Sequence, residues 1–207
     1  AGNIANSSSI SVTVNNADII TGLVGYWKFD DGSGTMAVDS SGNGNTGTLT
    51  NGPTWTTGKI NGALNFDGMD DFVNMNNPSS LNNLGPISIS LWVKVNVLGG
   101  SLFGKSNWNN GVGWRFSYYW ITTSNLDLSI GYPTTGLRIT TTNTNLASGV
   151  WTHIVYTWDG STNAQNAHIY KDGTEVSYDI RTSGLGTRDD DSSYNLYFGS
   201  TSGGSTI

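Results

Sequence analysis

From Asp30 to Gly47 the chain reads DDGSGTMAVDSSGNGNTG, mostly oxygen-bearing side chains and glycines. Gly32, Gly34, Gly42, Gly44 and Gly47 supply backbone freedom, while Asp30, Asp31, Asp39 and Asn43 supply oxygen. That composition suits a hard cation. Calcium takes about six to eight oxygens from carboxylates, amides and backbone carbonyls, and a chain converges that many only where it bends sharply. The expected side-chain ligands are Asp30 and Asp39, with Asn43 as a third and backbone oxygens near Gly34 and Ser41 as fillers. The alternative is that Asp39 and Asn43 form Asx turns and bind nothing.

Other chemistry is sparse. There are two histidines, His153 and His168, a single glutamate, Glu175, and no cysteine. Asp70-Asp71 and Asp189-Asp190-Asp191 sit in runs rich in Gly, Ser and Asn, where solvated acids or cation ligands are the ordinary expectation. Two isolated histidines do not suggest a Ser-His-Asp arrangement, and the expectation is a noncatalytic protein. The net charge of −6, with nine Lys and Arg scattered along the chain, argues against nucleic acid, which needs a basic footprint. No run of eighteen apolar residues is present, so no membrane insertion is expected. Sugars stack on aromatic rings and accept hydrogen bonds from planar polar groups. The candidate ligand-binding residues are Trp108 in an Asn-rich loop, Tyr119 and Arg115 on one strand face, and Trp92 on another.

Strands must position these groups. Leu23 to Phe29 is apolar and aromatic and reads as an opening strand. Ile87, Ile89, Leu91, Val93 and Val95 alternate with Ser88, Ser90, Trp92 and Lys94, the period of a half-buried strand. Trp114, Phe116, Tyr118 and Trp120 share one face, opposite Arg115, Ser117 and Tyr119. Leu126, Leu128 and Ile130 repeat the pattern with Asp127 and Ser129 outward. Trp151 to Trp158 is apolar on both faces, which predicts a central strand, and Ala167 to Lys171 runs into an Asp172-Gly173 hairpin. No helical period runs through the chain, so the fold class is all-β.

Several ordered segments resemble the laminin-G-like jelly-roll domains of the concanavalin A-like lectin/glucanase superfamily. These are Leu23 to Asp30 (LVGYWKFD), Asp39 to Gly47, and Gly62 to Gly68 (GALNFDG) with Asp71-Phe72-Val73. Ile87 to Lys94 (ISISLWVK), Trp151-Thr152-His153 with Trp158-Asp159-Gly160, Ile169 to Gly173 and Leu196 to Gly199 continue the series. The resemblance implies a two-sheet antiparallel sandwich, a calcium-bearing binding module and an extracellular setting, secreted or at the cell surface. Its partners would be a glycan or cell-surface ligand and neighbouring domains of the same polypeptide. The superfamily's glucanase branch works with closely spaced glutamates on one strand, which a chain with one glutamate lacks.

The ends read differently. Residues 1–18 (AGNIANSSSISVTVNNAD) look like the last strand of a bacterial immunoglobulin-like domain, with Ile10, Val12 and Val14 on one face; the jelly roll is expected over 19–207. The family's closing strand is not reached before Thr206-Ile207. Three readings stay open: a truncated sequence, self-association in which residues 10–14 of one copy complete the sheet of the next and build a filament, or the same strand folding back into its own sheet.

Overall fold

The computed structural model describes residues 22–96, 100–107, 111–119, 125–144 and 146–200. The expected strand at 10–14, the domain boundary near 16–21, Trp108, Trp120 and the segment 201–207 lie outside the described residues.

Fifteen strands run along the described chain: β1 (Met36–Ala37), β2 (Gly47–Thr50), β3 (Thr54–Thr57), β4 (Gly62–Asn65), β5 (Phe72–Asn74), β6 (Ile87–Lys94), β7 (Gly100–Asn107), β8 (Val112–Tyr119), β9 (Asn125–Ile130), β10 (Leu137–Thr141), β11 (Trp151–Trp158), β12 (Ala167–Lys171), β13 (Thr174–Glu175), β14 (Tyr178–Thr182) and β15 (Tyr197–Phe198). Nine form a large sheet in the order β1-β2-β5-β15-β7-β8-β9-β10-β14, and four form a small sheet, β13-β12-β11-β6. All the ladders are antiparallel, and β3 pairs β4 in a separate hairpin. Among the described residues the only helices are two single turns, Ser79–Leu81 and Ala164–Asn166. This is the two-layer antiparallel sandwich that the strand periods predict.

Alternation decides which side chains enter the core. On β8, Trp114, Phe116 and Tyr118 are buried, and on β9 Leu126, Leu128 and Ile130. Across the layers, β11 turns Ile154, Tyr156 and Trp158 inward, and the Phe116 and Tyr156 rings meet with centroids 4.4 Å apart. Phe103 continues the aromatic stack toward Phe198 at 4.3 Å, where Trp27 and Phe29 close it edge-on. As expected, β11 is a central strand, between β12 and β6, and Asp172 and Gly173 make a hairpin turn with φ of 49° and 83°.

Three expectations need correction. Leu23 to Phe29 is not a ladder strand; it makes one isolated bridge, Trp27 to Asp39, and Phe29 adopts φ 54°, which ends extended pairing there. Asp71 and Asp191 are buried rather than solvated; Asp191 pairs with Arg188 at 2.5 Å and accepts the Asn83 N–H at 2.7 Å. Asp127 faces away from the core and yet is fully buried. Sequence reasoning also gave no hint of Lys105, buried in β7 opposite Trp114, whose Nζ donates to Asn77 Oδ1 at 2.6 Å and to the Tyr194 carbonyl. Burial pulls its pKa down, against the attraction of Asp191 and Asp190.

Candidate functional site

The acidic bend is stitched together by Asp39. Its Oδ1 accepts the Tyr26 and Ser41 N–H groups, both at 2.9 Å, and its Oδ2 accepts Ser41 Oγ at 2.8 Å and the Asn45 N–H at 2.9 Å. A carboxylate has about four lone-pair sites, and donors from the protein occupy all of them. Burial alone would raise this carboxyl, but the four donors outweigh it and hold its pKa below the ordinary value. Asn43 donates Nδ2 to the Leu23 carbonyl at 2.8 Å and to Ser41 Oγ at 3.1 Å. The Gly34 carbonyl accepts Trp55 Nε1 at 3.0 Å, and exposed Asp30 has Asn61 Nδ2 at 3.4 Å. The bend therefore has the geometry of nested Asx turns that tie residues 39–45 to residues 23–27.

A second acidic group follows β4. Asp67, Asp70 and Asp71, in the GALNFDG segment and just after it, bring carboxylate oxygens within 4.8 Å of one another. Asp67 Oδ1 takes the Met69 and Asp70 N–H groups, and Asp71 Oδ2 takes the Asp67 N–H. The other oxygen of each, and both oxygens of Asp70, accept nothing among the described residues. Three converging carboxylates are a donor set that suits a hard cation. The sequence offered Asp70 and Asp71 as solvated acids or cation ligands but gave no sign that Asp67 joins them.

The aromatic and basic candidates divide between two outer faces. Trp92 stands on the outside of the small sheet, 39% exposed. His153 packs against it with centroids 5.1 Å apart, and Lys59 Nζ lies 5.3 Å over the ring, so both partners compete with a sugar for it. His153 Nε2 in turn meets Ser90 Oγ at 2.8 Å. Arg115 stands on the outside of the large sheet, across the whole core from Trp92, so one site cannot hold both. Tyr119 closes β8, but its side chain, like Trp108, lies outside the described residues.

Around Arg115 the sheet builds a groove. Ser129 of β9 pairs with Arg115 of β8 on one side and Arg138 of β10 on the other, so Arg115, Ser129 and Arg138 form a row across three strands. The next row is Ser117, Asp127 and Thr140. Asp127 Oδ2 accepts Arg138 Nε at 2.6 Å and Thr140 Oγ1 at 2.8 Å, and its Oδ1 accepts Ser129 Oγ at 2.8 Å. The carboxylate is wholly buried, whereas the Arg138 side chain keeps 44% exposure. Beside the first row runs a trough of about 270 Å³ lined by both arginines, Ser106, Ser129 and glycines. Side chains are excluded from its floor: a Cβ on Gly113 would fall 2.0 Å from the Lys105 carbonyl oxygen, and one on Gly131 2.3 Å from that of Gly111. The Ser106 hydroxyl is buried there without a hydrogen-bond partner among the described residues. Sequence reasoning named Arg115 but missed Arg138, whose only local signal is its place between Leu137 and Ile139.

The arrangement can hold a small polar ligand. A glycosidase needs two carboxylates flanking the bond, and the trough lining among the described residues holds none. Glu175 is engaged elsewhere, accepting Tyr178 OH at 3.0 Å and lying 2.6 Å from His168 Nδ1.

Comparison with known proteins agrees with this fold. A laminin-G family model, described as the concanavalin A-like lectin/glucanases superfamily, matches residues 66–206. No curated protein matches the sequence. Among solved structures, the binding domain of botulinum neurotoxin DC in complex with rat synaptotagmin II aligns over 87% of this chain with TM-score 0.55 and 15% identity. A structure describing the cell entry of botulinum neurotoxin type C as dependent on two ganglioside molecules aligns over 89% with TM-score 0.56 and 16% identity. The present chain spans 44% of each of those chains. A carbohydrate-binding module of Bacillus subtilis aligns over 74% of this chain and 88% of its own, with TM-score 0.41 and 14% identity.

Proposed function

The chain belongs to the concanavalin A-like lectin/glucanases superfamily, and on that premise we propose that it is a noncatalytic carbohydrate-binding module of a secreted or cell-surface protein. The observation that carries this reading is the trough on the outer face of the large sheet, lined by Arg115, Ser129 and Arg138 together with Gly113, Gly131 and Gly136. Sugars are recognised by a few fixed polar groups in a shallow depression, and guanidinium planes offer paired donors to ring hydroxyls. Neighbours in fold are described with a ganglioside and with a synaptotagmin, which supports reading this sandwich as a ligand-binding module. No helix among the described residues is long and apolar enough to cross a membrane.

Glycan-array binding by the purified chain tests the reading. Retention of one saccharide class, weakened by Arg115→Gln, supports it; an array without retained saccharide refutes it. Calcium belongs to the same proposal, at Asp67, Asp70 and Asp71. A bound ion raises the melting temperature by mass action, so millimolar calcium should stabilise the wild type and not Asp70→Asn.

A second reading, self-association through strand donation, draws support from β6. This eight-residue strand is at the edge of the small sheet among the described residues, and its core-facing Ile87, Ile89, Leu91 and Val93 are only partly buried. Light scattering across a concentration series decides: growth of higher species supports donation, and a monomer at every concentration rejects it.

A further inference from the structure

We infer that one end of the small sheet carries a second saccharide site, in which Asp159, Asn166 and His168 hold adjacent hydroxyls of a neutral sugar. This rests on the reading of the chain as a glycan-binding module and adds a site to it. Thr157 of β11 and His168 of β12 stand opposite each other in the ladder, on the face turned away from the core. The loop that joins the two strands brings Asp159 and Asn166 beside them. With Trp158 these four residues line an open depression of about 500 Å³, within the ~300–1,000 Å³ of ordinary small-molecule sites. Trp158 is buried and spends its indole N–H on the Ser161 carbonyl at 2.8 Å, so the polar character of the depression comes from the other four.

The side chains of this depression are held in place before any ligand arrives. Asp159 Oδ1 accepts the Ser161 N–H at 2.9 Å and its Oδ2 accepts Asn166 Nδ2 at 2.7 Å, which fixes the acid and the amide against each other. His168 Nδ1 lies 2.6 Å from Glu175 Oε1. Glu175 is held below its ordinary pKa, first by that bond, so the carboxylate accepts and Nδ1 carries the proton. Behind both, Arg181 donates to the Ala164 carbonyl at 2.6 Å and the Ala167 carbonyl at 3.0 Å, and lies 3.6 Å from Glu175 Oε1. One guanidinium thereby ties the turn that presents Asn166 to the strand that presents His168. Binding groups fixed in this way lower the ordering cost of association. His168 Nε2, Asn166 Oδ1 and Thr157 Oγ1 make no hydrogen bond among the described residues, and a carboxylate with about four lone-pair sites keeps capacity at Asp159. Sugar hydroxyls match this set because each both donates and accepts: they donate to Asp159 and Asn166 Oδ1, and meet Nε2 whether or not it carries a proton. Asp159 repels an acidic sugar, while an ammonium group has donors only and cannot serve Nε2 when the ring is charged.

The test uses the full chain and its two histidines, one in the depression and one outside it. Methyl glycosides of mannose, galactose and glucose, with glucuronate and glucosamine as charged counterparts, are titrated while the ring C–H resonances of His153 and His168 are followed by NMR. The expected result is a saturable shift of His168, and none of His153, with at least one neutral glycoside. Asp159→Asn and Asn166→Ala should each lower that affinity about tenfold, as the loss of a hydrogen bond to a charged group or of its fixed neighbour entails. Glu175→Gln tests a positioning residue: it should weaken binding severalfold and change the His168 ring-nitrogen shifts that report which nitrogen carries the proton. Circular dichroism confirms the fold of each variant before titration. Asp159→Asn and Asn166→Ala variants that bind like the wild type overturn the site, and tighter binding of glucuronate or glucosamine overturns the neutral class. A His168 response to zinc and to no saccharide overturns the saccharide assignment. No His168 response while an array retains a saccharide overturns the site and leaves the module reading standing; no response and no retained saccharide overturns both.

Discussion

The substitution Asp39→Asn separates the two roles the acidic bend could have. In the structure the carboxylate accepts four hydrogen bonds, two on each oxygen, from Tyr26, Ser41 and Asn45. An asparagine fits the same space but turns one oxygen into an NH₂ group, so two donors face another donor and the other two lose their ionic partner. A hydrogen bond to a charged group is worth about 1.5–3 kcal/mol net, and with partial relaxation of an edge loop the total falls near ~3 kcal/mol. For a domain of this size that corresponds to a fall in Tm of about 6–12 °C. Differential scanning calorimetry at neutral pH, with chelator and with millimolar calcium, reads the loss directly. The pH profile carries a second signature. Because Asp39 has a folded pKa below its unfolded value, its contribution is present above the unfolded pKa of about 3.9 and is lost as pH falls through the folded one. The gap between wild type and variant should therefore hold from pH 5 to 8, on the order of the full effect, and close below about pH 4. A variant that melts with the wild type would refute the hub role. So would a calcium-induced rise in Tm that is present in the wild type and absent in Asp39→Asn, since that makes Asp39 a ligand.

Two further outcomes test the core and its buried phenols. Phe116, which packs on Phe103, Trp114 and Tyr156 between the layers, should cost about 3–5 kcal/mol when cut to alanine, read as a lower urea midpoint at unchanged slope. Burial raises the pKa of Tyr156 far above the ordinary phenol value and pushes Tyr178 up to about 12. The stability these neutral phenols contribute is complete below about pH 10 and lost as pH climbs through the raised values, so phenolate absorbance and unfolding should rise together there. Full ionisation near pH 10 with the fold intact would contradict that burial.

Much of the fold was legible because a half-buried strand writes its faces into the sequence. β6 and β8 alternate as read, and the Asp172-Gly173 hairpin follows from two residues that tolerate positive φ. The opening strand was misread because aromatic residues favour strands wherever they fall, whereas Trp27 and Phe29 serve as a lid on Phe198. The bend was legible as a place rich in oxygen, but not in what its oxygens face. Asp39 and Asp67 both sit beside glycine-rich sequence; only the folded chain shows one carboxylate bonded by three backbone N–H groups and a hydroxyl, and the other grouped with two more acids.

The sequence by itself determined the all-strand class, the apolar core faces of β6, β8 and β9, and the two outer faces on which Trp92 and Arg115 stand, because alternation is local and needs no knowledge of partners. Which strands lie side by side was decided by tertiary structure alone. Arg115 and Arg138 look scattered along the chain, and they become a pair only when β8, β9 and β10 fall into register around Ser129. Register is a property of the assembled sheet, fixed by the sum of many cross-strand contacts, and no stretch of sequence carries it alone.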